Sequence, residues 1–160
     1  MQTWVFAEAI DGAPGALALE MLTKARSFEG DLAAVYVGEP AEEAVATLGA
    51  HGATTVYSID PGDSLPAAGI TAALAGLVEE HAPDLILLDI NMPVKDGLEA
   101  LEIIKGERSL RSIPVVIWST SRDDRHVHKA AELGTCDYVV KPDTFQGLVV
   151  SLERVLSKCL

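Results

Sequence analysis

The chain has few of the residues that announce a specialised chemistry. Only two of its 160 residues are cysteine, Cys136 and Cys159, and they stand in no metal-binding or redox spacing. That scarcity reads as a pair of reduced thiols in a cytoplasmic protein. Bases are also scarce: 12 Lys and Arg face 24 Asp and Glu, for a net charge of −12. Such a balance excludes non-specific nucleic-acid binding, which needs a basic face. No apolar run approaches the ~20 residues of a membrane span. The opening MQTWVFAEAIDG lacks the basic start and long apolar stretch of a secretion signal. No G-x-G-x-x-G precedes a helix, so Gly12 and Gly15 read as turn glycines rather than a phosphate cradle. His126 and His128 are two apart, share no helical face and make a poor metal pair.

What is present is unevenly distributed. Residues 1–83 hold 12 acids and 2 bases, and residues 84–160 hold 12 acids and 10 bases. Alanine divides more sharply, with 19 before residue 84 and 3 after it. No linker marks the change. EEHAPDLILLD runs from a helix end straight into an apolar strand, so the seam falls inside one sheet, within the strand 84–89.

Hydrophobic patterning predicts strands over 3–9, 31–38, 53–60, 84–89, 113–121 and 136–142. Helices are expected at 11–27 (after a turn), 40–52, 62–82 (after a loop), 96–107, 123–134 and 144–160. DLILLD is apolar throughout its interior, as befits a strand buried on both faces. Trp4 and Trp118 fall in strands and read as core. Strand and helix alternate six times, which predicts a single α/β domain over 1–160. Its form is a doubly wound, three-layer fold with a six-stranded parallel sheet.

In such sheets ligands sit beyond the carboxyl ends of the strands. The residues to inspect there are Glu8, Asp60, Asp89, Ser119, Thr120 and Lys141. Paired carboxylates can hold Mg²⁺, an oxygen-seeking ion. An aspartate can also attack a phosphoryl group and form an acyl phosphate. A nearby hydroxyl and ammonium would orient and neutralise the phosphoryl oxygens. Asp89, Asn91, Ser119 and Lys141 supply that set.

LILLDINMPVKDGLEAL, IPVVIWSTS and AAELGTCDYVVKP resemble the latter part of a response-regulator receiver domain, over about residues 84–158. The D-x-x-M-P-x-x-D-G pattern at Asp89, Met92, Pro93, Asp96 and Gly97 carries the likeness, with Ser119 30 residues on and Lys141-Pro142 22 further. The resemblance implies phosphorylation at Asp89, assisted by Ser119 and Lys141. It also implies Mg²⁺ on Asp89 and the Asn91 carbonyl, with Glu8 as the remaining carboxylate at the end of the first strand. A cis Lys141–Pro142 bond, Tyr138 as a rotating aromatic, and an output face over 123–158 go with it. The family's first two strands and helices have no receiver-like counterpart.

Residues 3–88 resemble something else. The VFAE, LAAVYVG and GATTVY segments are similar to the N-terminal domain of an electron-transfer flavoprotein alpha subunit. That family holds its flavin chiefly through another domain, so FAD is not expected. PDLILL suits both resemblances. Together they imply a flavodoxin-like or Rossmann-like fold with strand order 3-2-1-4-5-6, counted along the chain, and Glu8 near Asp89.

The expectation is therefore a chimera of halves 1–83 and 84–160, engineered and without an evolved function. It would retain a partial Mg²⁺-dependent acceptor site, would not be an enzyme, and would have no nucleic acid, membrane or natural partner. Two alternatives stay open: a working phosphorelay response regulator, and a nucleotide- or flavin-binding electron-transfer module.

Overall fold

A computed structural model describes residues 1–59, 67–90, 97–142 and 144–160. In chain order the elements are β1 (Gln2–Ile10), β2 (Ala13–Pro14), α1 (Ala16–Ala25), β3 (Asp31–Val37), α2 (Glu42–Ala50) and β4 (Thr55–Ile59). They continue as α3 (Ala67–His81), β5 (Leu85–Leu88), α4 (Gly97–Gly106), β6 (Val115–Ser119), α5 (Asp124–Glu132), β7 (Asp137–Val140) and α6 (Phe145–Cys159).

The sheet order is β4-β3-β1-β5-β6-β7. All five pairings along it are parallel. This is the doubly wound fold expected from the alternation, in the order the two resemblances imply, with one correction: the described sheet has seven strands, not six. The extra strand is β2, which pairs antiparallel with the end of β1 through Ile10–Ala13 and Ala9–Pro14. Asp11 and Gly12 make the turn, with φ of 52° and 80°. Two consecutive positive φ values belong to the tight two-residue hairpin that Asp-Gly favours. The dipeptide was a visible signal, absorbed into the expected turn before α1.

Alternation along the strands fills two cores. Val5, Ala7, Leu85, Leu87, Val116 and Trp118 point to the layer holding Met21 and Leu22 of α1, Leu48 of α2 and Val155 of α6. Trp4, Phe6, Ile86, Leu88, Val115 and Ile117 point to the other, with Leu74 and Val78 of α3, Leu101 and Ile104 of α4, and Ala130 of α5. Both tryptophans are buried, as expected of core residues. β5 contributes two leucines to one core and Ile86 with Leu88 to the other, which is why its sequence is apolar at every position.

The cysteines are not free thiols. Cys136 and Cys159 form a disulfide across a separation of 23 residues. The reduced-thiol expectation rested on spacing along the chain alone. Instead α6, the helix that follows β7, brings its last residue back to the residue just before β7. Asp137 reinforces the junction by accepting from Arg154 Nε at 2.8 Å and Lys158 Nζ at 3.0 Å. No described helix is long and apolar enough to cross a membrane.

A loop of that size closed by a disulfide stabilises by about 3 kcal/mol, mainly by restricting the unfolded chain. Reduction, or Cys136→Ser with Cys159→Ser, is expected to lower the urea-unfolding midpoint by an equivalent of ~2–4 kcal/mol. Identical midpoints with and without reductant would contradict the link.

Candidate phosphoacceptor site

The chain winds outward from β1 to β3 and β4, then returns to place β5 on the other side of β1. The reversal in strand order lies between β1 and β5, where doubly wound folds bind ligands beyond the carboxyl ends. Asp89 follows β5 at this point. It is 4% exposed, and its Oδ1 is shielded from solvent. Beside it, Gly97 N–H donates to the Ile90 carbonyl at 3.0 Å. A Cβ on Gly97 would lie 1.9 Å from the Asp89 carbonyl oxygen and 2.6 Å from Ile90 Cα. Only glycine lets the start of α4 approach the Asp89 backbone so closely.

Ser119 is the last residue of β6 and fully buried. Its Oγ accepts from Ser121 N–H at 3.2 Å, and its carbonyl accepts from Lys141 N–H at 2.8 Å. That last bond fixes the backbone of Lys141, just past β7, beside Ser119. The expected strand-end positions of Asp89, Ser119 and Lys141 are thus all found. Asn91 lies outside the described residues, as do Asp60, Met92, Pro93 and Asp96.

Two expectations need correction here. Glu8 does not end its strand. β1 runs on to Ile10, and Glu8 pairs with Val37 of β3 while its carbonyl accepts from Gly15 N–H at 3.0 Å. The acid looked terminal, but the β1–β2 hairpin carries the strand past it. Continuing the Val5–Leu87 register sets Ala7 level with Asp89, and Glu8 one residue further along. The second correction concerns Lys141–Pro142: among the described residues no peptide bond is cis, so this one is trans.

Lys141 also takes an unexpected partner. Its Nζ pairs with Glu20 Oε2 of α1, and the other oxygen of Glu20 pairs with Lys24. Burial pushes the Glu20 carboxyl up, but the hydrogen bonds from Lys141 and Lys24 outweigh it and hold the group below its ordinary range. Glu20 was missed because its only sequence signal is an i,i+4 spacing to Lys24, the commonest of surface patterns.

Tyr138 completes the surroundings. Its hydroxyl donates to the Ser121 carbonyl at 3.1 Å. Burial raises its pKa. Hydrogen bonds with Ser121 and Ser119 oppose that rise, and the charges of Asp89 and Asp123 add to it. The ring on β7 therefore feels the charge on Asp89. The histidines are occupied separately, His126 Nδ1 with Ser121 Oγ at 3.0 Å and His128 Nδ1 with the Asp124 carbonyl at 2.7 Å. Among the described residues no three His, Cys, Asp or Glu side chains cluster as a metal site.

Glu8 and Asp89 nonetheless fit Mg²⁺ in donor chemistry. Both offer hard carboxylate oxygens, Glu8 on β1 and Asp89 just past the neighbouring β5, and each has an oxygen shielded from water.

Residues 64–153 match the response regulator receiver domain, and residues 3–90 match the electron transfer flavoprotein domain. Each match covers more than half of the chain, which therefore belongs to both families, with α3 and β5 common to the two. The receiver match reaches back past α3, beyond the motif residues that first suggested it. The probable methanogenesis regulatory protein FilR2 of Methanothrix harundinacea (strain 6Ac) is 37% identical over 73 residues, 46% of this chain and 47% of that protein. Response regulator Rcp1 of Synechocystis sp. (strain ATCC 27184 / PCC 6803 / Kazusa) is 39% identical over 75 residues, 47% of this chain and 51% of that one. The chain spans about half the length of these curated relatives. The crystal structure of the Mn(2+)-bound form of response regulator Rcp1 superposes with a TM-score of 0.55 at 21% identity, covering 98% of this chain and 93% of that one. At that identity the likeness speaks for the fold alone. The relatives are named as regulators, so they lend no support to the expectation that the chain has no natural partner.

Two predictions follow from this geometry. Gly97→Ala drives a methyl into backbone that cannot yield, and overpacking of that kind costs ~1–3 kcal/mol. Denaturant unfolding should register the loss; an unchanged midpoint would contradict the close approach. The second concerns Asp123, the N-cap of α5. The Arg125 side chain, then the Arg125 backbone N–H, hold its carboxyl down at about 2 against an ordinary 3.8. Because the folded-state pKa is depressed, the cap's contribution is present above pH 3.8 and is lost as pH falls through about 2. Carboxyl NMR titration should give that midpoint, moving up in Arg125→Ala. A midpoint near 3.8 in the unaltered protein would contradict it.

Proposed function

We propose that the chain is a receiver-type phosphoryl acceptor, with Asp89 taking the group from a small acyl phosphate. The observation that carries the reading is a buried aspartate at the strand-order reversal, with Ser119 and Lys141 ending the next two strands. One carboxylate oxygen of Asp89 bonds to phosphorus while the bond from phosphorus to the donor's acyl oxygen breaks. The donor leaves as a carboxylate with that electron pair, and no proton is needed. Ser119 Oγ donates to a phosphoryl oxygen, and the Lys141 ammonium neutralises another. When bound by Glu8, Asp89 and the Asn91 carbonyl, Mg²⁺ supplies further neutralisation of the phosphoryl oxygens. Tyr138, which feels the charge on Asp89, links the site to the α5–α6 side of the molecule, and residues 123–158 are the output face. In this reading the chain accepts a phosphoryl group rather than working as an enzyme.

Beneath that chemistry the chain reads as a recombinant of two doubly wound folds. The alanine and charge seam near residue 84 supports this, as does a strand that suits both parents.

The test is intact mass after incubation with acetyl phosphate and Mg²⁺. One phosphoryl group is expected on the unaltered chain, none on Asp89→Asn and less on Glu8→Ala. No gain, or an equal gain on Asp89→Asn, would overturn the proposal.

A further inference from the structure

Lys141, which acceptor chemistry needs beside Asp89, is engaged by a residue 121 positions away in the other half of the chain. Glu20 holds it with one carboxylate oxygen and Lys24 with the other. Both lysine side chains are largely covered, at 15% and 17% exposed, while that of Glu20 is 40% exposed. Lys24 is further fixed by lying 5.8 Å over the ring of Trp118, the residue before Ser119. Two cations thus share one anion, and the anion is the member most open to exchange. The Lys141 N–H to Ser119 carbonyl bond holds the backbone in place, so only the side chain has to move.

We propose that Glu20 is a positioning residue that stores Lys141 in the unphosphorylated chain and yields it to phosphoryl oxygens on Asp89. This rests on the phosphoacceptor reading above. A phosphoryl group carries more negative charge than a carboxylate and three acceptor oxygens, so it competes for the same ammonium. Glu20 therefore acts against the first encounter with a phosphoryl donor, and its removal speeds phosphorylation. Its effect is exerted through Lys141 and not by contact with the reacting atoms.

The experiment has two readouts on the full chain. The first is acetylation of Lys141 by dilute acetic anhydride, measured by peptide mass against exposed Lys129 as an internal reference. The second is the rate at which acetyl phosphate with Mg²⁺ adds a phosphoryl group to Asp89. Glu20→Gln should raise both by roughly two- to fivefold, the range a partly exposed ion pair commands. Glu20→Asp, a milder change if the Gln variant folds poorly, should fall between. Lys24→Gln leaves Glu20 with Lys141 and should not raise the labelling.

Unchanged Lys141 labelling in the Glu20 variants overturns the storage role. Raised labelling with an unchanged or slower phosphorylation rate overturns the competition. Raised labelling in a chain that takes no phosphoryl group leaves the ion pair standing but overturns the acceptor reading, and the hand-over with it.

Discussion

Thr3 lies beside Leu85, Trp4 beside Ile86 and Val5 beside Leu87, and the whole molecule depends on those three parallel pairs. They join β1, β3 and β4 on one side to β5, β6 and β7 on the other. They also set the register that sends Val5 and Leu87 to one core and Trp4 and Ile86 to the other. A slip of one residue would turn each of these side chains to the opposite layer, so two buried faces specify the pairing strongly. The reversal of strand order falls at the same place, where doubly wound folds bind ligands, and Asp89 follows β5 there.

A chain belonging to two families can be one domain because β5 satisfies both. Four apolar residues, buried on either face, suit a neighbour of either family. The receiver-like side brings its acceptor, hydroxyl and lysine at successive strand ends, positioned by parallel ladders. The flavoprotein-like side brings α1, and with it a carboxylate that no receiver motif includes. Among the described residues it is Glu20 that forms an ion pair with Lys141, so the two halves meet at the proposed site through charge as well as through packing.

The sequence made the skeleton legible because strand and helix periods alternate cleanly. Layers, buried tryptophans and the strand-end placement of Asp89, Ser119 and Lys141 rest on local pattern, while the strand order came through the family resemblances. The departures are long-range or hidden in short turns. Asp11-Gly12 turned β1 back on itself and left Glu8 mid-strand, a consequence of φ at two residues. The Cys136–Cys159 bridge depends on how the final helix packs back along β7. The Glu20–Lys141 pair depends on which helix faces the carboxyl edge of β7. None of these follows from spacing along the chain.

The central claim is that the β1–β5 pairs make one cooperative sheet from two families' halves. Native-state hydrogen exchange across β1, β3, β5 and β6 in low denaturant tests it directly. One sheet predicts that the slowest amides on both sides of the β1–β5 boundary share one opening free energy and one denaturant slope. If β1 and β3 open together at a distinctly lower free energy while β5 and β6 stay protected, the halves are separable units. The account of a single domain held at that seam would then be wrong.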